Sequence, residues 1–154
     1  MWRMPGPSVA SARAPQGLVL FSPLPPAKSG IADYTRELLP ALCRIRPVVV
    51  VCERPPPEPG GDWLTISVEQ YERDATLAAW PHVYQIGNNA DHVFAWRALR
   101  RRPGILVQHD FNLHYLVEDA TLAAGDTAGY REVMGEEYGE AGATLADLRQ
   151  IGLF

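Results

Sequence analysis

Residues 17–43 have the sequence GLVLFSPLPPAKSGIADYTRELLPALC, which predicts one strand followed by one helix. The first six residues form a short apolar run, typical of a strand buried on both faces of a parallel sheet. A proline-rich loop follows at 23–30. Apolar residues then recur with helical spacing over 31–43, and Ser29 is the predicted N-cap. We expect Pro40 to end or kink this helix.

The rest of the chain repeats this alternation of strand and helix. Four more strands are predicted, at 48–52, 64–68, 82–86 and 105–109. Four more helices are predicted, at 69–80, 91–102, 111–122 and 130–148. The alternation predicts an α/β fold, a Rossmann-like three-layer α/β/α arrangement around a mostly parallel sheet. We expect residues 1–16 to be an irregular leader and residues 17–154 to form one domain.

The composition limits the classes of function. The chain has 154 residues and a net charge of −4, which disfavours nucleic-acid binding. No apolar run reaches the roughly 18 residues of a membrane-spanning helix. Two cysteines do not make a disulfide framework, and we expect a cytoplasmic protein. The basic cluster Arg97 and Arg100–Arg102 suits peripheral contact with the inner face of a membrane, although its place at a helix end favours simple complementarity to the helix dipole.

Ligands of parallel α/β sheets bind beyond the carboxyl ends of the strands, so the loops that follow strands are the candidate sites. In the first loop, Gly30 lets backbone N–H groups approach an anion at a helix N-terminus. Ser29 and Lys28 are suited to assist there. The loop lacks a Walker pattern, so a stiff turn with a capped helix is the competing interpretation.

A second candidate loop contains Gly87, Asn88 and Asn89, with His92 at the start of the next helix. Its amides are suited to contact a ligand hydroxyl. The competing interpretation is an ordinary N-cap with a surface histidine.

A third candidate segment contains His109, Asp110 and His114. His109 is expected at the end of a buried strand, where a histidine can hydrogen-bond a sugar or phosphate oxygen or transfer a proton. Asp110 is suited to cap the following helix. A metal site would need further ligands of suitable type and spacing, and we expect none here.

Three segments, taken in this order, resemble the N-terminal domain of bacterial family-4 (group 1) glycosyltransferases of the GT-B fold. They are FSPLPPAKSGIADYTRELLP at 21–40, YQIGNNADH at 84–92 and PGILVQHDFNLH at 103–114. The resemblance implies retaining, metal-independent transfer of a sugar from a nucleotide-sugar donor to a saccharide or lipid-linked acceptor, without a cofactor. By the same resemblance, Gly30 approaches the donor diphosphate and His109 is the catalytic residue beside the transferred sugar. The substrate-binding residues would be Ser29, Gly30, Gly87, Asn88, Asn89, His92 and Asp110.

A complete enzyme of this type also has a C-terminal domain that binds the donor, and its motifs are not found in this sequence. We therefore expect residues 17–154 to be the acceptor-side half of a GT-B fold, incomplete at its C-terminus. Such a half is expected to be inactive alone and to need the missing donor domain or a partner chain. One alternative is a non-catalytic sugar- or nucleotide-binding or adaptor module that completes a cleft with another chain. Another is a small hydrolase or metal-dependent esterase that uses His109, Asp110 and His114.

Overall fold

The computed structural model describes residues 17–58 and 60–153, so the predicted leader at 1–16 lies outside the described residues. The strands are β1 Leu18–Phe21, β2 Val48–Cys52, β3 Leu64–Ser67, β4 His82–Ile86 and β5 Ile105–Gln108. The helices are α1 Gly30–Cys43, α2 Val68–Arg73, α3 Val93–Arg101, α4 His114–Ala120 and α5 Thr127–Gln150. Short 3₁₀ turns occupy Leu77–Ala79, Ala90–His92 and Leu122–Ala124.

All five strands are parallel and lie in the order β3-β2-β1-β4-β5. Helices flank the sheet, which confirms the predicted Rossmann-like α/β class. The chain builds outward from β1 through β2 to β3, then crosses back to place β4 on the other side of β1. The strand order therefore reverses between β1 and β4, and a crevice at this switch point is where such sheets bind ligands.

The core lies on both faces of β1. Val19 and Phe21 pack on one face with residues of β4 and α3. Leu18 and Leu20 pack on the other face with Leu39 of α1. Because successive strand side chains point to opposite faces, a continuous apolar run is what a strand between two helical layers requires.

Helix α1 follows the prediction except at Pro40. Its N-cap is Ser29, whose Oγ accepts a hydrogen bond from the Ile31 N–H at 3.2 Å. Of the two predicted effects of Pro40, an end or a kink, the end is wrong, since α1 continues to Cys43. Pro40 is exposed, so water can bind the helix carbonyl that its missing N–H leaves free.

The predicted helix over 69–80 is broken near its middle. Helix α2 ends at Arg73, and the Asp74 side chain accepts a hydrogen bond from the Thr76 N–H at 2.9 Å. An aspartate that bonds its own backbone two residues ahead competes with helical hydrogen bonding. A separate 3₁₀ turn follows at Leu77–Ala79.

Strand β5 differs from the expectation of a buried strand. It pairs only with β4, so it is an edge of the described sheet. Ile105 is 60% exposed and Leu106 is 44% exposed. The predicted helix from residue 111 also begins later, at His114, which leaves 109–113 as a loop after β5.

The helix predicted over 130–148 is a hairpin of two helices. Gly139 has φ 63° and ψ −149°, a conformation outside the helical region, and it separates 127–138 from 140–150. The two halves lie side by side, and the Arg131 Nε donates to Asp147 Oδ1 across them at 2.8 Å. A Cβ at Gly142 would collide with the Met134 carbonyl oxygen, so a glycine lets the two backbones approach closely.

We predict that Gly142→Ala lowers the free energy of unfolding by about 1–3 kcal/mol, because the new methyl group overpacks a backbone contact. Gly135→Ala is the matched control in the same hairpin. Its Cβ would lie 3.8 Å from the Ala143 Cβ, an ordinary contact, so we expect no loss and a gain of up to about 1 kcal/mol. Urea unfolding monitored by circular dichroism measures both, and equal effects of the two substitutions would refute the hairpin packing.

No helix among the described residues has the length and apolar character needed to cross a membrane. The basic cluster on α3 has partners within the chain. Arg97 donates to the Ala120 carbonyl, Arg101 pairs with Glu72, and Arg102 donates to the Ala78 carbonyl. Arg100 lies over the Trp96 ring at 5.1 Å. These contacts support a structural role for the cluster.

Candidate functional site at the switch point

Three segments converge at the carboxyl edge of the sheet: the first turn of α1, the loop after β4 and the loop after β5. Gly87 directly follows β4. A Cβ at Gly87 would lie 2.5 Å from Ile31 Cδ1, so this loop packs against the start of α1. Ser22 and Thr35 join β1 to α1 through a 2.7 Å hydrogen bond between their hydroxyls. The structure thus brings the first two predicted loops together.

The N-terminus of α1 is open to ligands. Gly30 is the first residue of this 14-residue helix, and a Cβ added there would meet no atom within 4 Å. The first backbone N–H groups of a helix lack intrahelical partners and carry the positive end of its dipole. Ser29 occupies one of them, and Lys28 is exposed beside it. This arrangement can bind a phosphate or another anion.

His109 is held in place by two residues that the sequence analysis did not select. Its Nε2 is hydrogen-bonded to Oε1 of Gln85, which is buried on β4. Its ring also meets the Tyr34 ring edge-on, with the centroids 5.3 Å apart. Tyr34 lies one helical turn after Gly30, so this contact places the histidine close to the open helix N-terminus.

Of these two residues, Gln85 had a signal in the sequence and Tyr34 did not. Gln85 is the polar residue in the second half of the run HVYQI at 82–86, where a buried strand normally has apolar side chains. Tyr34 belongs to the apolar residues with helical spacing over 31–43, a pattern that predicts a buried side chain. It is instead 46% exposed, while Ala32, Thr35 and Leu39 form the buried face.

The two asparagines have different roles: Asn88 joins the β4 loop to the β5 loop and to α4, and Asn89 acts within its own loop. The Asn88 N–H donates to Asp110 Oδ2 at 2.7 Å, and Asn88 Oδ1 accepts from the Leu116 N–H at 3.0 Å. Asn89 Oδ1 accepts from the Asp91 N–H at 2.9 Å and caps the next 3₁₀ turn. Asp110 therefore bridges to the β4 loop, rather than capping α4 as the sequence suggested.

His92 is fully buried, which differs from a surface histidine. Its Nδ1 donates to the Gln85 carbonyl oxygen at 2.9 Å, since a carbonyl can only accept. Its Nε2 has no hydrogen-bond partner among the described residues and faces the missing side chain of Gly87. Burial lowers the pKa of His92, and the bond to Gln85 offsets this only in part. His92 is thus a neutral, buried ring that stabilises the end of β4 through its hydrogen bond to Gln85.

His114 does not join His109. Its Nε2 lies 3.2 Å from Glu118 Oε1, and Glu118 also pairs with Arg149 of the helical hairpin. Because His109, Asp110 and His114 contact three different partners, they do not form the relay that a hydrolase would need. Across 17–58 and 60–153, no three His, Cys, Asp or Glu side chains are grouped as a metal site would require.

We predict that the hydrogen bond to Gln85 fixes one tautomer of His109, with the proton on Nε2. Nuclear magnetic resonance of ¹⁵N-labelled histidine should show an Nε2–H proton that exchanges slowly with water. Gln85→Leu removes the acceptor, so this proton should exchange quickly while the fold is retained. His114 is the internal control, because its bond to Glu118 is unaffected. An unchanged His109 signal in the variant would contradict the contact.

We also predict that acidification destabilises the fold through its buried histidines. Burial lowers the pKa of His82 as well as that of His92. As pH falls below about 6.5, the unfolded chain takes up these protons before the folded chain does, so the free energy of unfolding decreases. Urea unfolding at pH 7.5 and 5.5 should show this loss. The loss should be smaller in His82→Phe and in His92→Gln than in the unsubstituted chain. If both variants keep the pH dependence of the unsubstituted chain, these histidines are not its source.

No protein-family model, curated protein or solved structure matches this chain. The function is therefore inferred from the residues that meet at the switch point.

Proposed function

We propose that this chain is the acceptor-side domain of a retaining glycosyltransferase. The enzyme would move a sugar from a nucleotide-sugar to a saccharide or lipid-linked acceptor. The observation that carries the proposal is the pairing of an open helix N-terminus at Gly30 with a held imidazole at His109, joined through Tyr34. The sequence resemblance supports the same assignment.

The helix N-terminus supplies the electrostatic part of this function. A nucleotide-sugar releases a diphosphate, so negative charge builds up on the leaving oxygen as the glycosidic bond breaks. The N–H groups of the first turn of α1 that have no helical partner, beginning with that of Gly30, are aligned with the helix dipole. They are fixed donors that stabilise this charge without reorganisation. The absence of a side chain at Gly30 is what allows close approach.

His109 supplies a contact to the transferred sugar. With Nε2 bonded to Gln85, its Nδ1 remains available to hydrogen-bond a sugar hydroxyl. The exposed ring lies at the strand end, and Tyr34 limits its rotation. A ring held in one orientation loses little entropy on binding, so it can position the sugar for attack by the acceptor hydroxyl on the same face.

The groups that hold the nucleotide would come from a second domain or a partner chain. Catalysis requires both sides of the cleft, since the donor must be fixed while the acceptor attacks. We therefore expect this chain to bind nucleotide-sugar weakly and to transfer no sugar alone. The cleft would be cytoplasmic, and a lipid-linked acceptor would bring the protein to the inner face of a membrane.

We predict that UDP-glucose and GDP-mannose shift the backbone amide signals of Gly30, Ile31 and His109 in a ¹⁵N–¹H titration, at millimolar concentration. Gly30→Asp should weaken this binding by about tenfold or more, because it places a like charge against the diphosphate. Open space around Gly30 means that the substitution does not disturb packing.

Ala79→Asp is the matched control, since it adds the same charge at an exposed turn away from the carboxyl edge. It should leave the titration unchanged. Binding that shifts other residues, or that survives Gly30→Asp, would overturn the proposed site.

A further inference from the structure

The loop after β5 is irregular yet fixed by hydrogen bonds. The Gln108 side-chain amide donates to the carbonyl oxygens of Asp110 and Phe111 at 2.7 Å and 3.3 Å. Asp110 accepts from the Asn88 N–H, and Asn112 Oδ1 accepts from the His114 N–H at 2.7 Å. The backbone of this loop therefore has a defined conformation beside the switch point.

This fixed loop presents a fully exposed aromatic ring. Phe111 has 103% relative exposure. Two more exposed rings lie on neighbouring elements: Tyr34 on α1, and Tyr115 on α4, whose Leu116 N–H is bonded to Asn88 of the β4 loop. Among the described residues, Tyr138 on the helical hairpin is the exposed aromatic side chain away from this edge. Of these exposed rings, that of Tyr34 contacts His109 directly.

Polar groups flank Phe111 on both sides. Asp110 uses Oδ2 to bind Asn88, and its Oδ1 accepts no bond from any described residue. Asn112 uses its oxygen to bind His114, and its amide nitrogen donates to no described residue. One acceptor and one donor are therefore available next to an apolar ring, which suits a ligand with both hydroxyl groups and an apolar face.

The charge of the segment that contains this loop disfavours an anionic ligand at Phe111 itself. Residues 103–130 contain no Lys or Arg, whereas Asp110, Glu118, Asp119 and Asp126 are acidic. Nucleic acids and anionic membranes both require cations for binding, so neither suits this surface. A neutral polyhydroxylated ring satisfies the three observations together, since its C–H face packs on an aromatic ring and its hydroxyls bond to the flanking groups.

We propose that Phe111 is the stacking platform for a neutral sugar ring of the acceptor, with Asp110 and Asn112 binding its hydroxyls. This assignment rests on the proposed function and adds to it a substrate class, an uncharged saccharide, and a specificity residue. The platform lies two residues from His109, so a stacked sugar would be next to the reacting centre.

The test is a titration of the full chain with neutral trisaccharides of glucose, mannose and N-acetylglucosamine, followed at the Phe111 ring and at the Asp110 and Asn112 amides. We expect shifts at millimolar saccharide and a loss of about tenfold in affinity in Phe111→Ala. Phe111→Tyr should retain binding. Tyr138→Ala, which removes an exposed ring away from the site, should have no effect.

Three outcomes would overturn the platform. One is the absence of any saccharide shift at Phe111. The second is a shift that depends on protein concentration alone, which would show that a second copy covers the ring. The third is Phe111-dependent binding to phosphatidylcholine vesicles without saccharide binding, which would assign the ring to a lipid surface. The nucleotide-sugar titration, followed at the Gly30 amide, is a separate measurement. The stacking platform can therefore fail while the proposed function stands, and the proposed function can fail while Phe111 still binds saccharide.

Discussion

The burial of β1 on both faces and along both edges is the constraint on which the rest of the structure depends. All four of its residues are paired with β2 on one side, and Val19, Leu20 and Phe21 are paired with β4 on the other. They are at most 8% exposed, so each side chain must enter a core on one face or the other. A strand in this position requires helices on both faces, and the crossing from β3 to β4 then creates the switch point beside its carboxyl end.

Gln85 couples the fold to the site at that switch point. Its carbonyl oxygen accepts from the buried His92, and its side chain holds the exposed His109. A buried amide must satisfy its polar atoms, so the residue that completes the interior of β4 also orients the reactive ring. Gly87 also serves both the fold and the site, because its lack of a side chain leaves room for Ile31 and for His92.

The predictions from sequence succeeded where periodicity and burial agree. The apolar runs of β1, β2 and β4 were located to within a residue, and Ser29 was correctly assigned as a cap. The predictions failed where the conformation or hydrogen bond of a single residue ends a helix. Asp74 ended a helix by bonding to its own backbone, and Gly139 turned a predicted helix into a hairpin. Neither event changes the apolar pattern that the predictions rely on.

The candidate site was predictable as a set of loops, and its internal contacts were not. Gly30 and His109 were selected because they follow strands, which is a local property of the chain. The roles of Gln85 and Tyr34 depend on which strand lies beside which, as do the exposure of β5 and the burial of His92. The sequence by itself determined the alternation of strands and helices, because apolar periodicity and capping act over a few residues. Only the tertiary structure decided the strand order, and with it which side chains meet, because those contacts join residues far apart in the chain.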